Sequence, residues 1–230
     1  MVQHFEARLL DPLQYHSFVD TGASGATVTA PFLGDIALAF AINASVLAVP
    51  LPERRWVHGK QASGPDYKTD LHQIGLFLTV GEPIDSVNML QPEYQASSYM
   101  GEGFEQRNIS SGASYNQQKK WREYSSVASS SWRPWRQAQS MAPGNRFTFS
   151  VLRGERLPEK FAIRMGNGRS CLIEVSETKS PEKVTLNEWT AKNIHGLDLA
   201  HLPFDQRETP LAQYSLLRGV PLNVVIEVIK

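Results

Sequence analysis

Between two stretches of regular hydrophobic patterning lies a run of about 60 residues, from about Asp85 to Asn145, in which periodicity dissolves and Ser, Gly, Gln and Asn predominate. A connection of that length is too long for an ordinary loop in a compact domain, so the chain must fold around a large insertion or around a segment that orders on a partner. The aromatics favour the insertion. Tyr94, Tyr99, Phe104, Tyr115, Trp121, Tyr124, Trp132 and Trp135 are more than a solvated tail carries. At 230 residues and 41% hydrophobic content the rest of the chain suffices for one core.

On either side of this run the periods are clear. Phe5, Ala7 and Leu9 alternate with His4, Glu6 and Arg8, which predicts a half-buried strand ended by Asp11-Pro12. Gly34 to Ala44 is rich in Ala and Leu and predicts a buried helix of about three turns, with Asp35 placed to cap it. Ile74 to Val80 predicts an apolar strand stopped by Gly81-Glu82-Pro83. Phe147, Phe149 and Val151 alternate again. Phe161–Met165 and Cys171–Val175 flank Gly166-Asn167-Gly168-Arg169-Ser170, a hairpin signal because Asn-Gly supplies the positive φ that a tight turn needs. Pro221 to Ile229 predicts a last strand. One helix-bearing split unit on a mostly antiparallel sheet is an α+β arrangement, most commonly ferredoxin-like, with residues 1–230 as one domain and 85–145 inserted as a thumb.

Charge narrows the function. The chain is neutral overall, with 23 basic and 23 acidic side chains. Residues 1–118 hold 6 Lys and Arg against 12 Asp and Glu, residues 119–169 hold 11 against 3, and residues 170–230 hold 6 against 8. A cationic middle of +8 between acidic flanks of −6 and −2 is the footprint of a polyanion partner, unless folding scatters those charges over several surfaces. Cations interleave with flat rings in Lys119-Lys120-Trp121-Arg122 and Trp132-Arg133-Pro134-Trp135-Arg136, followed by Arg146. Phosphates take the charge and unstacked bases take the rings, at ~1–3 kcal/mol per stacked base. The bland alternative makes the tryptophans core or interface anchors. At the hairpin, Arg164 and Arg169 flank glycines that let a phosphate backbone approach, although a plain hairpin needs the same glycines.

Catalysis finds little support. The lone cysteine, Cys171, excludes an internal disulfide and any multi-cysteine metal site. The six histidines lack metal-ligand spacing, and His16 is the one candidate general base of a metal-independent ribonuclease. No cofactor motif is present. No apolar run approaches ~20 residues, and the start lacks a signal-peptide layout, so the expectation is a cytoplasmic protein with no membrane partner.

Leu9-Leu10-Asp11-Pro12-Leu13 with Tyr15-His16-Ser17, the helix from Gly34 to Ala41, Gly75-Leu76-Phe77-Leu78-Thr79, Ile163-Arg164-Met165-Gly166 leading into Arg169-Ser170, and Leu211 to Leu217 occur in an order that resembles the RAMP proteins of CRISPR effector complexes. Within them the pattern is similar to the Cas-five-type subunit of type I-D Cascade. That resemblance implies a ferredoxin-like RAMP (RRM-like) fold with a thumb. It implies a non-catalytic subunit that caps the 5′ handle of the CRISPR RNA, beside the backbone RAMP subunits and the large subunit that reads the protospacer-adjacent motif on target DNA. The rivals are a RAMP endoribonuclease using His16 on repeat RNA, and a protein-only scaffold subunit.

Overall fold

In the computed structural model the described residues are 2–14, 18–19, 27–52, 66–91, 93–96, 114–116, 121–123, 135–166, 169–211 and 214–229. The chain begins with β1 (Gln3–Leu9), β2 (Phe18–Val19) and β3 (Thr27–Val28), then α1 (Asp35–Ile42), which runs into a π-helical turn at Asn43–Leu47. Next come α2 (Tyr67–Ile74), β4 (Phe77–Leu78), β5 (Glu82–Pro83), β6 (Glu93–Ala96), β7 (Ser114–Asn116), β8 (Trp121–Glu123) and β9 (Trp135–Gln139). The remainder is β10 (Arg146–Arg153), β11 (Lys160–Met165), β12 (Cys171–Glu177), β13 (Lys183–Asn187), α3 (Glu188–Asn193), β14 (Gln206–Leu211), β15 (Tyr214–Pro221) and α4 (Leu222–Ile229).

These elements form two compact units. One comprises Met1–Phe18, Thr29–Leu90 and Ser140–Lys230; the other comprises Val19–Val28 and Gln91–Gln139. Residues 85–90 and 140–145 therefore belong to the first. Its main sheet runs β11-β12-β1-β10-β4, with β5 also on β10, and every pairing is antiparallel. Since β1 and β4 are each antiparallel to β10, they run the same way with α1 and α2 between them, which is a split β-α-β unit. The order β12-β1-β10-β4 is that of a ferredoxin-like sheet. The link from β10 to β12, where that fold carries a second helix, is here the edge strand β11. The fold class is α+β with mostly antiparallel sheets, as the sequence patterning leads one to expect.

The alternation in the sequence becomes two faces. Phe5, Ala7, Leu9, Phe147, Phe149, Val151, Ile163, Ile173 and Val175 point to one side and join Leu38, Ile42, Leu71 and Ile74 of the helices in a single core. Helix α1 is buried nearly all round, in keeping with its uniformly apolar sequence. A second cluster, with Phe77, Leu186, Leu217, Val220 and Val225, lies under the sheet β13-β15-β14.

Three local expectations are corrected. Asp35 does not cap α1: the N-cap is Gly34, with no side-chain cap bond. Ile74 and Gly75 end α2, Gly75 closing it in the left-handed region at φ 71, so β4 shrinks to Phe77–Leu78. Leu222–Ile229 is helix α4 rather than a strand, because Leu222 and Val225, a helical step apart, are the residues it buries.

The second unit has a four-stranded sheet, β2-β3-β9-β6, in which β3 and β9 pair in parallel, and a β7-β8 hairpin.

Candidate nucleic-acid interface

The β11-β12 hairpin is built by inward Phe161, Ile163 and Met165 facing Cys171, Ile173 and Val175 across a continuous register. Its turn takes positive φ at Gly166 (89°) and at Arg169 (55°), and the Arg169 N–H donates to the Gly166 carbonyl at 3.0 Å. A Cβ at Gly166 would sit 2.8 Å from the Gln14 carbonyl oxygen and 2.9 Å from Leu13 Cδ1, so only glycine lets the turn lie on residues 13–14. That stretch is itself held, since Leu13 and Met141 exchange both backbone bonds at 3.0 and 2.9 Å. Asp11 closes the corner: its carboxylate accepts from the Leu172 N–H at 3.1 Å and its carbonyl from the Cys171 thiol at 3.1 Å. Burial pushes that thiol up to about 11, which leaves it protonated and unreactive.

Arg164 and Arg169 are exposed at this corner. Among the described residues neither has a carboxylate within salt-bridge distance. Arg146 differs. Its guanidinium sits 2.8 Å from Asp85 and 3.8 Å from Glu6, and the hydrogen bond to Asp85 raises its pKa further. Lys160 pairs with Glu174 at 2.7 Å. Part of the cationic excess counted along the sequence is thus matched by carboxylates from the acidic flanks.

The structure brings Arg164, Gly166 and Arg169 together at one turn and puts Arg146 on β10. Trp121 and Arg122 lie on β8, where they oppose Asn116 and Tyr115, and Arg136 lies on β9 opposite Gln95. Lys119, Lys120, Trp132, Arg133, Asn167, Gly168 and His16 fall outside the described residues.

Three buried polar arrangements were not foreseen. Asp35 accepts from the Thr190 hydroxyl at 2.6 Å and from Asn187 Nδ2 at 3.0 Å, pinning the start of α1 to the start of α3; burial outweighs these bonds and raises its pKa. An acid in an otherwise apolar helix was the available signal. His195 stacks on Phe77 at 4.0 Å between centroids and is pushed down to about 3, first by burial and then by Arg153 and His72. The cavity between Asp35 and His195 measures ≈ 10 Å³, about one water, far below a nucleotide. Finally, His4 Nδ1 lies 2.9 Å from Ser150 Oγ with Glu177 acting on the ring, a nucleophile-like set in outline. Ser150 is 0% exposed, so its hydroxyl reaches no substrate and the contact ties β1 to β10. Among the described residues no group of three His, Cys, Asp or Glu is placed to hold a metal, and no helix is long and apolar enough to cross a membrane.

A comparison with curated proteins returns no match. Among solved structures, a chain of the "Cryo-EM structure of the Type III-B Cmr-beta bound to cognate target RNA and AMPPnP, state 1" aligns over 97% of this chain and 87% of its own length, at 8% identity and a TM-score of 0.39. The family model described as "Type I-D CRISPR-associated protein Cas5/Csc1" matches residues 1–227, and the chain belongs to that family.

Proposed function

We propose that the chain is a non-catalytic RNA-binding subunit of the type I-D CRISPR effector complex, holding the 5′ handle of the CRISPR RNA beside the backbone and large subunits. The family match over residues 1–227 supports the complex. The observation that carries the RNA contact is the β11-β12 corner, where two exposed arginines flank a turn that only glycine can form. A guanidinium presents a planar fork of N–H donors that fits phosphate bidentately, and one without a carboxylate partner gives up no ion pair on binding. In this reading Lys119, Lys120, Arg122, Arg133 and Arg136 add phosphate contacts in the inserted segment, and Trp121 and Trp132 stack bases. Arg146, neutralised by Asp85 and Glu6, contributes least. Target DNA near the protospacer-adjacent motif and a cytoplasmic setting belong to the same reading.

The test is guide-RNA retention by the assembled complex carrying Arg164→Glu and Arg169→Glu together. Losing two phosphate contacts lowers the slope of log affinity against log salt by roughly 1.4 for a single strand and weakens retention about tenfold or more. Unchanged retention and an unchanged slope would overturn the assignment. Incubation of the pure chain with repeat RNA checks the absence of chemistry: specific cleavage abolished by His16→Ala would replace this reading with an endoribonuclease.

A further inference from the structure

Strand β11 ends the main sheet, and among the described strands it is paired only on its β12 side. The phase of its hydrogen bonds follows from one contact, the Glu177 N–H donating to the Glu159 carbonyl at 2.7 Å. Glu159 and Glu177 extend the register in which Lys160 opposes Ser176 and Phe161 opposes Val175. In an antiparallel pair, hydrogen-bonded and non-hydrogen-bonded positions alternate, so 161, 163 and 165 bond β12 while 160, 162 and 164 turn their N–H and C=O groups away from it. The other side of β12 agrees. Its even residues serve β1, as the Leu10 N–H on the Leu172 carbonyl at 2.9 Å requires.

The outer edge of β11 is therefore a row of three donors and three acceptors repeating at about 6.8 Å. Edges of this kind are normally blunted by proline, a bulge or a covering element. Here the register is continuous over all six residues, none of them proline, and α1 with its π-helical turn packs on β11 at the face that buries Ile163 and Met165. The side chains of the outward positions are Lys160, Ala162 and Arg164, all exposed, with the small residue between the two cations.

Edge chemistry selects the occupant. A phosphate backbone supplies only acceptors and would meet the three carbonyls unfavourably, whereas a polypeptide strand complements donors and acceptors alike at the strand repeat. A second copy pairing antiparallel about Ala162 would set Lys160 opposite Arg164, two like charges face to face. We infer that β11 is a docking edge for an extended segment of a different protein subunit, which adds a strand there and brings an acidic side chain opposite Lys160, beside its ion pair with Glu174, leaving Arg164 to the RNA. The inference rests on the reading that this chain works inside a multi-subunit complex, but on none of its RNA contacts.

Residue-resolved hydrogen exchange tests it on the full chain, alone and in the assembled effector complex. The amides of Lys160, Ala162 and Arg164 exchange rapidly in the isolated chain and slowly in the complex, while those of Phe161, Ile163 and Met165 are slow in both. Rapid exchange of the outward amides in the complex overturns the proposal. So does protection already present in the dilute isolated chain, protection that appears only on concentrating it, or protection produced by handle RNA alone; these would identify the chain itself, a second copy or RNA as the occupant. Ala162→Pro gives an independent check, since it removes one outward N–H and no bond to β12. Co-assembly with the protein subunits falls about tenfold or more, while binding of the isolated chain to handle RNA is unchanged because both arginines remain. Full co-assembly of a folded Ala162→Pro chain would refute the docking edge and leave the RNA assignment standing.

Discussion

Asp35 shows what a residue reveals and what it withholds. The sequence marks it as an acid at the head of an apolar helix, and capping is the locally economical use for it. Its true partners, Asn187 and Thr190, lie 152 and 155 residues away, so no local pattern could name them. Arg146 is similar: the cation is visible in the sequence, but not the carboxylates of Asp85 and Glu6 that neutralise it. Buried titratable groups also set the acid response. The ring of His195 faces Arg153, whose Nη2 donates to Nδ1 at 3.2 Å, together with His72 and, across the small cavity, Asp35. Its native pKa of about 3 lies below the ordinary 6.5, so the unfolded chain takes up a proton first as pH falls through 6.5. Stability from this group is complete above that value and is lost between there and the native value. His4, also lowered, acts in the same direction, while Asp35, raised, opposes both at the acid end. Denaturant titrations at pH 7.5 and 5.5 check this, and His195→Phe should lose less stability over the interval than the parent chain. Parallel losses would remove His195 as the cause.

Elements were legible in proportion to how local their causes are. The β11-β12 hairpin, β1 and β10 follow from alternation and a glycine turn, and they form as expected. Helix α4 does not read so easily. Leu-Asn-Val-Val-Ile-Glu-Val-Ile is rich in β-branched residues and looks like a strand by propensity. Its apolar positions Leu222, Val225, Ile226 and Ile229 also follow the helical spacing i, i+3, i+4, i+7, and packing against the second cluster decides for that period. Val225, 1% exposed, anchors the helix, and Val225→Ala should cost about 2 kcal/mol in denaturant unfolding. Exposed Val228, at 43%, should tolerate alanine within about 0.5 kcal/mol. Equal costs at both sites would mean that this helix is not held by one face. Helix α2 spans only eight residues of mostly polar sequence, so periodicity does not mark it; its ends are set by the Asp66 carboxylate on the Thr69 N–H and by Gly75.

At the scale of the molecule, the long aperiodic run is visible in the sequence, whereas the bonds beside it join residues far apart in the chain and are not. The chain leaves the first unit at Leu90 and returns at Ser140, and the Leu90 N–H donates to the Ser140 carbonyl at 2.9 Å. Asn145 fastens the same place from one side chain, accepting from the Asn88 N–H at 2.9 Å and donating to the carbonyls of Asn88 and Ala142 at 2.8 and 2.7 Å. Because this neck closes on its own bonds, replacing residues 91–139 by a short Gly-Ser linker should leave the first unit folded. Calorimetry should still show one cooperative transition, shifted by no more than about 4–8 °C; loss of that transition would mean that the excursion supports the sheet. The position of β1 carries a different consequence. It is a central strand whose two neighbours, β10 and β12, begin at Arg146 and Cys171. At roughly 5–20 residues per second of ribosomal synthesis, β1 waits on the order of ten seconds with both of its edges bare. Nascent chains released before β12 should therefore engage chaperones or aggregate through Gln3–Leu9.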